Sequence, residues 1–97
     1  MRTYELVFIA HPSLEEEGLQ GVVDDVKGFV TEAGGNVVDV DHMGRRRLAY
    51  AIRNLWEGYY VLVHADLEPS AVAGVEHELN LREDILRYLL IRLDEEE

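Results

Sequence analysis

Three consecutive arginines, Arg45, Arg46 and Arg47, run directly into Leu48-Ala49-Tyr50, with Arg53 and Trp56 close behind. A guanidinium is a rigid fork of donors that matches a phosphate, and an aromatic ring beside it offers a face to a base or to another guanidinium. The setting sharpens the pattern. The chain carries 20 Asp+Glu against 9 Lys+Arg, a formal charge of -11, yet no acidic residue stands between Asp41 and Glu57. Charge segregated this way points to a small nucleic-acid contact, and the arginine–aromatic mixture to RNA. A hairpin that is merely a solvated turn balancing the acidic surface has the same composition, so both readings stand at this level. An acidic chain is a poor binder of nucleic acid unaided, because affinity comes from neutralised phosphates and released counterions. Contact with RNA would therefore run through one patch, with help from a basic partner.

Little else in the chain suggests chemistry. There is no cysteine, which excludes disulfides, thiolate metal sites and cysteine nucleophiles. His11, His42, His64 and His77 are scattered without metal-ligand spacing. In Glu76-His77-Glu78, neighbours on a helix point apart and cannot converge on one ion. Ser13 and Ser70 are the only serines, and both stand at expected helix starts, where capping accounts for them. Gly34-Gly35 follows a helical pattern rather than a strand, the wrong context for a phosphate-binding turn. Neither catalysis, a metal nor a cofactor is expected.

The elements that must position the arginines are legible from periodicity. Residues 4–10 form an apolar run rich in strand formers, with Leu6 and Phe8 on one face and Val7 and Ile9 on the other. After His11-Pro12, Ser13 and Glu16 have capping-box spacing, and Glu15, Glu16 and Glu17 suit the positive end of a helix dipole. Leu19, Val22, Val23, Val26, Phe29, Val30 and Ala33 then recur at helical spacing until Gly34-Gly35. From Asn36 the period is two, with Val38 and Val40 alternating against Val37, Asp39 and Asp41. That pattern leads through Gly44, a candidate bulge, into the arginines and on to Ile52. Asn54 to Gly58 reads as a turn around Trp56. A strand follows over residues 59–65, with Val61 and Val63 on one face and Tyr60, Leu62 and His64 on the other. Glu68-Pro69-Ser70 opens a second helix with Val72, Val75 and Leu79 as its buried stripe, and residues 85–93 are the last strand.

The order β-α-β-β-α-β closes most readily as a ferredoxin-like split sandwich, an α+β fold. Four antiparallel strands then pack one face on both helices and leave Val7, Ile9 and Leu62 on an open apolar face, the expected partner-protein interface. The chain has the length for one domain, assigned to residues 1–93, with Asp94-Glu95-Glu96-Glu97 as a solvated acidic tail. An apolar fraction of 47% is ordinary for a globular protein, no run is long enough for a membrane span, and the N-terminus has no signal-peptide pattern. The chain is read as a soluble, cytoplasmic protein.

Four stretches carry a resemblance to a known family. They are Met1-Arg2-Thr3-Tyr4-Glu5, running into the strand that ends at His11-Pro12; Gly44-Arg45-Arg46-Arg47-Leu48-Ala49-Tyr50-Ala51-Ile52; Gly58-Tyr59-Tyr60-Val61; and the region from Arg82 to Arg92. The second is close to the signature Gly-x-Arg-x-Leu-Ala-Tyr-Pro-Ile, and the chain resembles the sixth protein of the bacterial small ribosomal subunit along its whole length. The resemblance implies a structural, non-enzymatic RNA-binding protein with a ferredoxin-like fold. It implies pairing with the basic eighteenth protein of the subunit, and joint binding to the central domain of 16S rRNA, with the fifteenth protein as an assembly neighbour. By position it implies rRNA contacts at Arg2, Arg45, Arg46, Arg47 and Tyr50; Arg53 is added from its local charge environment alone. Arg87 and Arg92 are explained equally well as contacts or as salt bridges. Ala51 stands where the family commonly has proline, which loosens the hairpin without removing charge.

Two other classes remain open on the residues. A small ferredoxin-like enzyme or anion-binding module would use an arginine cluster for an anionic substrate, but would want it beside a helix N-terminus. A regulatory ligand-binding module dimerising through its sheets would use the open face and leave the arginines without a task.

Overall fold

The alternation of Tyr4, Leu6, Phe8 and Ala10 against Thr3, Glu5, Val7 and Ile9 makes the first strand central, because both of its faces must be covered or usable. In the computed structural model, which describes residues 1–93, that strand is β1 (Arg2–Ala10). It is followed by α1 (Glu16–Glu32), β2 (Asn36–Ile52), β3 (Leu55–Leu67), a short 3-10 turn (Pro69–Ala71), α2 (Val72–Leu81) and β4 (Ile85–Arg92). The acidic tail assigned to residues 94–97 lies outside the described residues. The strands form one antiparallel sheet in the order β2-β3-β1-β4, with both helices against one face. This is the expected split β-α-β arrangement.

The core lies between sheet and helices. Leu6, Phe8, Val61 and Val63 meet Val22, Val23, Val26 and Val30 of α1 and Val75 and Leu79 of α2. The helical stripe is therefore as periodicity dictates, with Leu19, Phe29 and Ala33 at its margin. The 17-residue α1 and 10-residue α2 are less alike in length than the two halves of the sequence suggest.

Local signals were answered differently in several places. The capping-box spacing is not realised: Glu15 is the N-cap of α1 without a side-chain cap bond, and the Ser13 hydroxyl pairs instead with His11 Nδ1 at 2.8 Å. Ser70 likewise lies inside the 3-10 turn, whose start has no side-chain cap. The hairpin reverses at Arg53 and Asn54, both left-handed (φ 52° and 64°), rather than around Trp56. Trp56, Glu57 and Gly58 belong to β3. In β2 a register shift between Val37 and Asp39 turns Val38 out to solvent and places Val37 and Val40 on the core, where strict alternation had paired Val38 with Val40.

Candidate nucleic-acid interface

The hairpin of β2 and β3 is irregular where the arginines lie. Gly44 takes φ 90° at a register shift, the bulge expected of a glycine inside a strand. Beyond it Arg45, Arg46 and Arg47 pair with Tyr59, Gly58 and Glu57 in regular register. Then Arg47 opposes Glu57 and Ile52 opposes Leu55, so residues 48–51 stand opposite Trp56 alone. The excess chain in β2 lets the hairpin end curl over the open face. Leu48 is buried there against Ile9 of β1 and Leu86 of β4, with Ile52, Leu55 and Tyr60 packed around them. This second apolar cluster fixes the arginine-bearing strand to the middle of the sheet. Gly58 permits the approach, since a Cβ there would overlap Ile9 Cγ2 and come within 3.2 Å of the Ala10 carbonyl.

Alternation about Leu48 divides the arginine run between two faces. Arg45 points toward the helix side, where its Nε donates to Glu57 at 2.5 Å and its Nη1 to the Pro12 carbonyl at 3.1 Å. Its guanidinium also lies over the Tyr59 ring, 5.6 Å from the centroid. The hydrogen bond to Glu57, and then that to Tyr59, raise its pKa above the ordinary arginine value. Arg45 thus braces β2 against β3 and the loop after β1 while remaining half exposed. Arg47 lies over the Trp56 indole at 5.8 Å. Arg46, on the open-face side with Leu48 and Tyr50, is held among the described residues by a 3.3 Å bond from Nε to the Met43 carbonyl. Both Arg46 and Arg47 are exposed, and neither has a carboxylate partner among the described residues.

Tyr50 is half exposed, its hydroxyl accepting from Arg87 Nη1 while the Arg87 guanidinium lies over its ring at 5.7 Å. Arg87 therefore belongs to this end of the hairpin, held by an aromatic rather than by an acidic neighbour. The sequence could place it on the last strand but not beside Tyr50, because the juxtaposition depends on the curl. Arg53 reaches across to the loop before β4, donating to the carbonyls of Glu83 at 2.8 Å and Ile85 at 3.5 Å. Its guanidinium ties down the turn. Arg2 is not brought to the others: it pairs opposite Leu67, and Arg45 opposite Tyr59. At about 3.4 Å per residue those positions lie roughly 27 Å apart along β3.

The open face reads in rows across the sheet. Asp41, Leu62, Val7 and Leu89 form one row; Asp39, His64, Glu5 and Ile91 the next; and Gly44, Tyr60, Ile9 and Arg87 the row nearest the arginines. Val7 and Leu62 are half-buried, whereas Leu89 and Ile91 are exposed. Ile9 lies largely beneath Leu48 and Leu86. The apolar strip is bordered by acid. His64 sits between Asp39 (2.8 Å) and Glu5 (3.1 Å), and these hydrogen bonds, Asp39 first, raise its pKa above the usual imidazole value.

A split β-α-β sheet that carries an arginine–aromatic hairpin defines a small protein of the ferredoxin-like class. Comparison with known proteins narrows the class: residues 3–92 match the family model described as ribosomal protein S6. The chain belongs to the ribosomal protein S6 family, whose members are structural, non-enzymatic constituents of the small ribosomal subunit. It is 43% identical to small ribosomal subunit protein bS6 of Moorella thermoacetica, over 99% of this chain and 98% of that protein. With the protein of the same name from Heliobacterium modesticaldum it shares 42% identity over 99% of this chain and the whole of the relative. The crystal structure of 30S ribosomal protein S6 from Thermotoga maritima superimposes with a TM-score of 0.90 at 29% identity, covering 95% of this chain and 87% of that one. The C-terminal domain of MgtC from Mycobacterium tuberculosis (TM-score 0.67, 10% identity, covering 97% of this chain and 89% of that one) shares the fold alone.

Proposed function

We propose that this chain binds the central domain of 16S rRNA through the β2–β3 hairpin, cooperatively with the basic eighteenth protein of the small subunit. The observation that carries the reading is the pair Arg46 and Arg47. In a chain of net charge -11 they are exposed, free of carboxylate partners among the described residues, and flanked by the half-exposed rings of Tyr50 and Trp56. Phosphates and unpaired bases are the ligands such a group suits. Arg45 contributes from the helix side of the same strand, Tyr50 offers a ring, and Arg53 holds the turn within reach. Arg2 makes its contact separately, from the far end of the sheet. The partner covers the open face at Val7 and Leu62, with Ile9 as the floor beneath the hairpin. The acidic border of Glu5, Asp39 and Asp41 complements a basic protein and repels bare RNA, which is why the two proteins would bind together. The fifteenth protein is the assembly neighbour, and the work is done in the cytoplasm.

The test is the double substitution Arg46→Ala, Arg47→Ala. It should weaken capture of a central-domain rRNA fragment by the protein pair and leave the melting curve unchanged. Capture at the wild-type level would remove these two side chains from the interface, and an unfolded variant would make them structural.

A further inference from the structure

Trp56 is the chain's single tryptophan, and it stands outside the core. It belongs to neither buried cluster, and 51% of its surface is open. A side chain of this size normally does most of the burying in its neighbourhood, and an indole left on the surface is characteristic of contact sites. Its position follows from the irregular hairpin. As the one residue of β3 facing residues 48–51, it projects where the ladder is interrupted. Arg47 lies over the ring at 5.8 Å, which places beside the indole a cation that has no carboxylate partner among the described residues. On the other side of the same hairpin end, Arg87 and Tyr50 form a second stack of the same kind.

We propose that Trp56 is a stacking platform for one unpaired RNA base, with Arg47 on the adjoining phosphate. The inference rests on the RNA reading of the hairpin and adds to it a ligand class: a bulged or junction nucleotide rather than continuous duplex. Bases inside an A-form helix are stacked on one another in a groove too narrow for side chains, so an indole can stack only on a base already splayed out. A strand contacted through phosphates alone would need the arginines and would leave the indole without a role.

The experiment uses the full chain at low salt with two labelled RNAs, a hairpin carrying one bulged adenosine and the same hairpin fully paired. RNA anisotropy reports binding, and the emission of Trp56 reports the ring. The bulged RNA should bind more tightly and quench the indole. Trp56→Ala should lower affinity for the bulged RNA by about 5- to 150-fold, the range for loss of one base–aromatic stack, and leave the paired hairpin unaffected. Trp56→Phe should keep most of the preference, and Arg47→Ala should weaken both RNAs. If Trp56→Ala binds the bulged RNA as the wild type does, while Arg46→Ala and Arg47→Ala lose affinity, the stack is refuted and the RNA reading survives. If the wild type binds both RNAs equally, or neither, with or without the basic partner, the stack is refuted; a central-domain rRNA fragment run in parallel, captured or not, decides the RNA reading separately.

Discussion

Replacing Leu48 with alanine removes three buried carbons from the cluster that fastens the arginine strand to the sheet. Leu48 is 4% exposed and packs on Ile9 and Leu86. At about 0.8 kcal/mol per buried methylene, the transfer loss is about 2.4 kcal/mol. A cavity would add to this, and leucine-to-alanine changes in cores span about 2–5 kcal/mol. Here Ile52, Leu55 and Tyr60 are only partly buried and can close in, so the cost should stay near the lower end, about 2.5 kcal/mol. For a domain of this size the melting temperature should then fall by about 10–20 °C. The assay is thermal unfolding followed by circular dichroism, with Trp56 emission as a local reporter. RNA capture by Leu48→Ala should also fall at temperatures where the variant is still folded, because Arg46 and Tyr50 flank Leu48 and share its strand. A melting temperature within about 2 °C of wild type, equivalent to under ~0.5 kcal/mol, would mean the hairpin end is not packed on β1.

Gly58→Ala attacks the same junction from the other strand: the added methyl overlaps Ile9 and should cost about 1–3 kcal/mol in urea denaturation, whereas a neutral effect would refute the close approach. His64 has its pKa raised by Asp39 and Glu5, so its contribution to stability is full below about pH 6.5 and is lost as pH rises through the folded-state value. Melting temperatures should therefore fall more steeply in the wild type than in His64→Gln as pH rises from about 6.5 through the raised folded-state value, and identical slopes would show that the ion pairs do not form. Val7→Lys places a cation in the apolar strip beside Leu62 and Leu89 and should abolish pairing with the basic partner with little change in stability; retained pairing would move the interface off this face.

The sequence conveyed what depends on period and charge. Leu6 and Phe8 against Val7 and Ile9, the α1 stripe and the order of elements are consequences of alternation and helical spacing, and the structure follows them. It did not convey what depends on irregularity. Gly58 resembles a turn residue, and with Asn54 it suggested a reversal around Trp56. Its actual task is to let β3 pass close to Ile9, and the reversal falls on Arg53 and Asn54, neither a glycine. The capping box failed because α1 begins at Glu16 with Glu15 as its N-cap, which leaves Ser13 outside the helix and paired with His11. At the candidate interface the run Arg45–Tyr50 was evident from composition. Its division between two faces is strand alternation, and the capture of Arg45 by Glu57 follows the regular register of the hairpin; the meeting of Tyr50 with Arg87 depends on the extra residues of β2 opposite Trp56. No local pattern announces that count.

Binding of this chain to a central-domain fragment of 16S rRNA at moderate salt, with and without the eighteenth protein, tests the proposed function most directly. Tight binding only in the presence of the partner is the predicted result, since a chain of net charge -11 with one small arginine patch has too little positive charge to hold RNA alone at moderate salt. No contribution from this chain when the partner is present and itself competent would contradict it, as would equally tight binding without the partner.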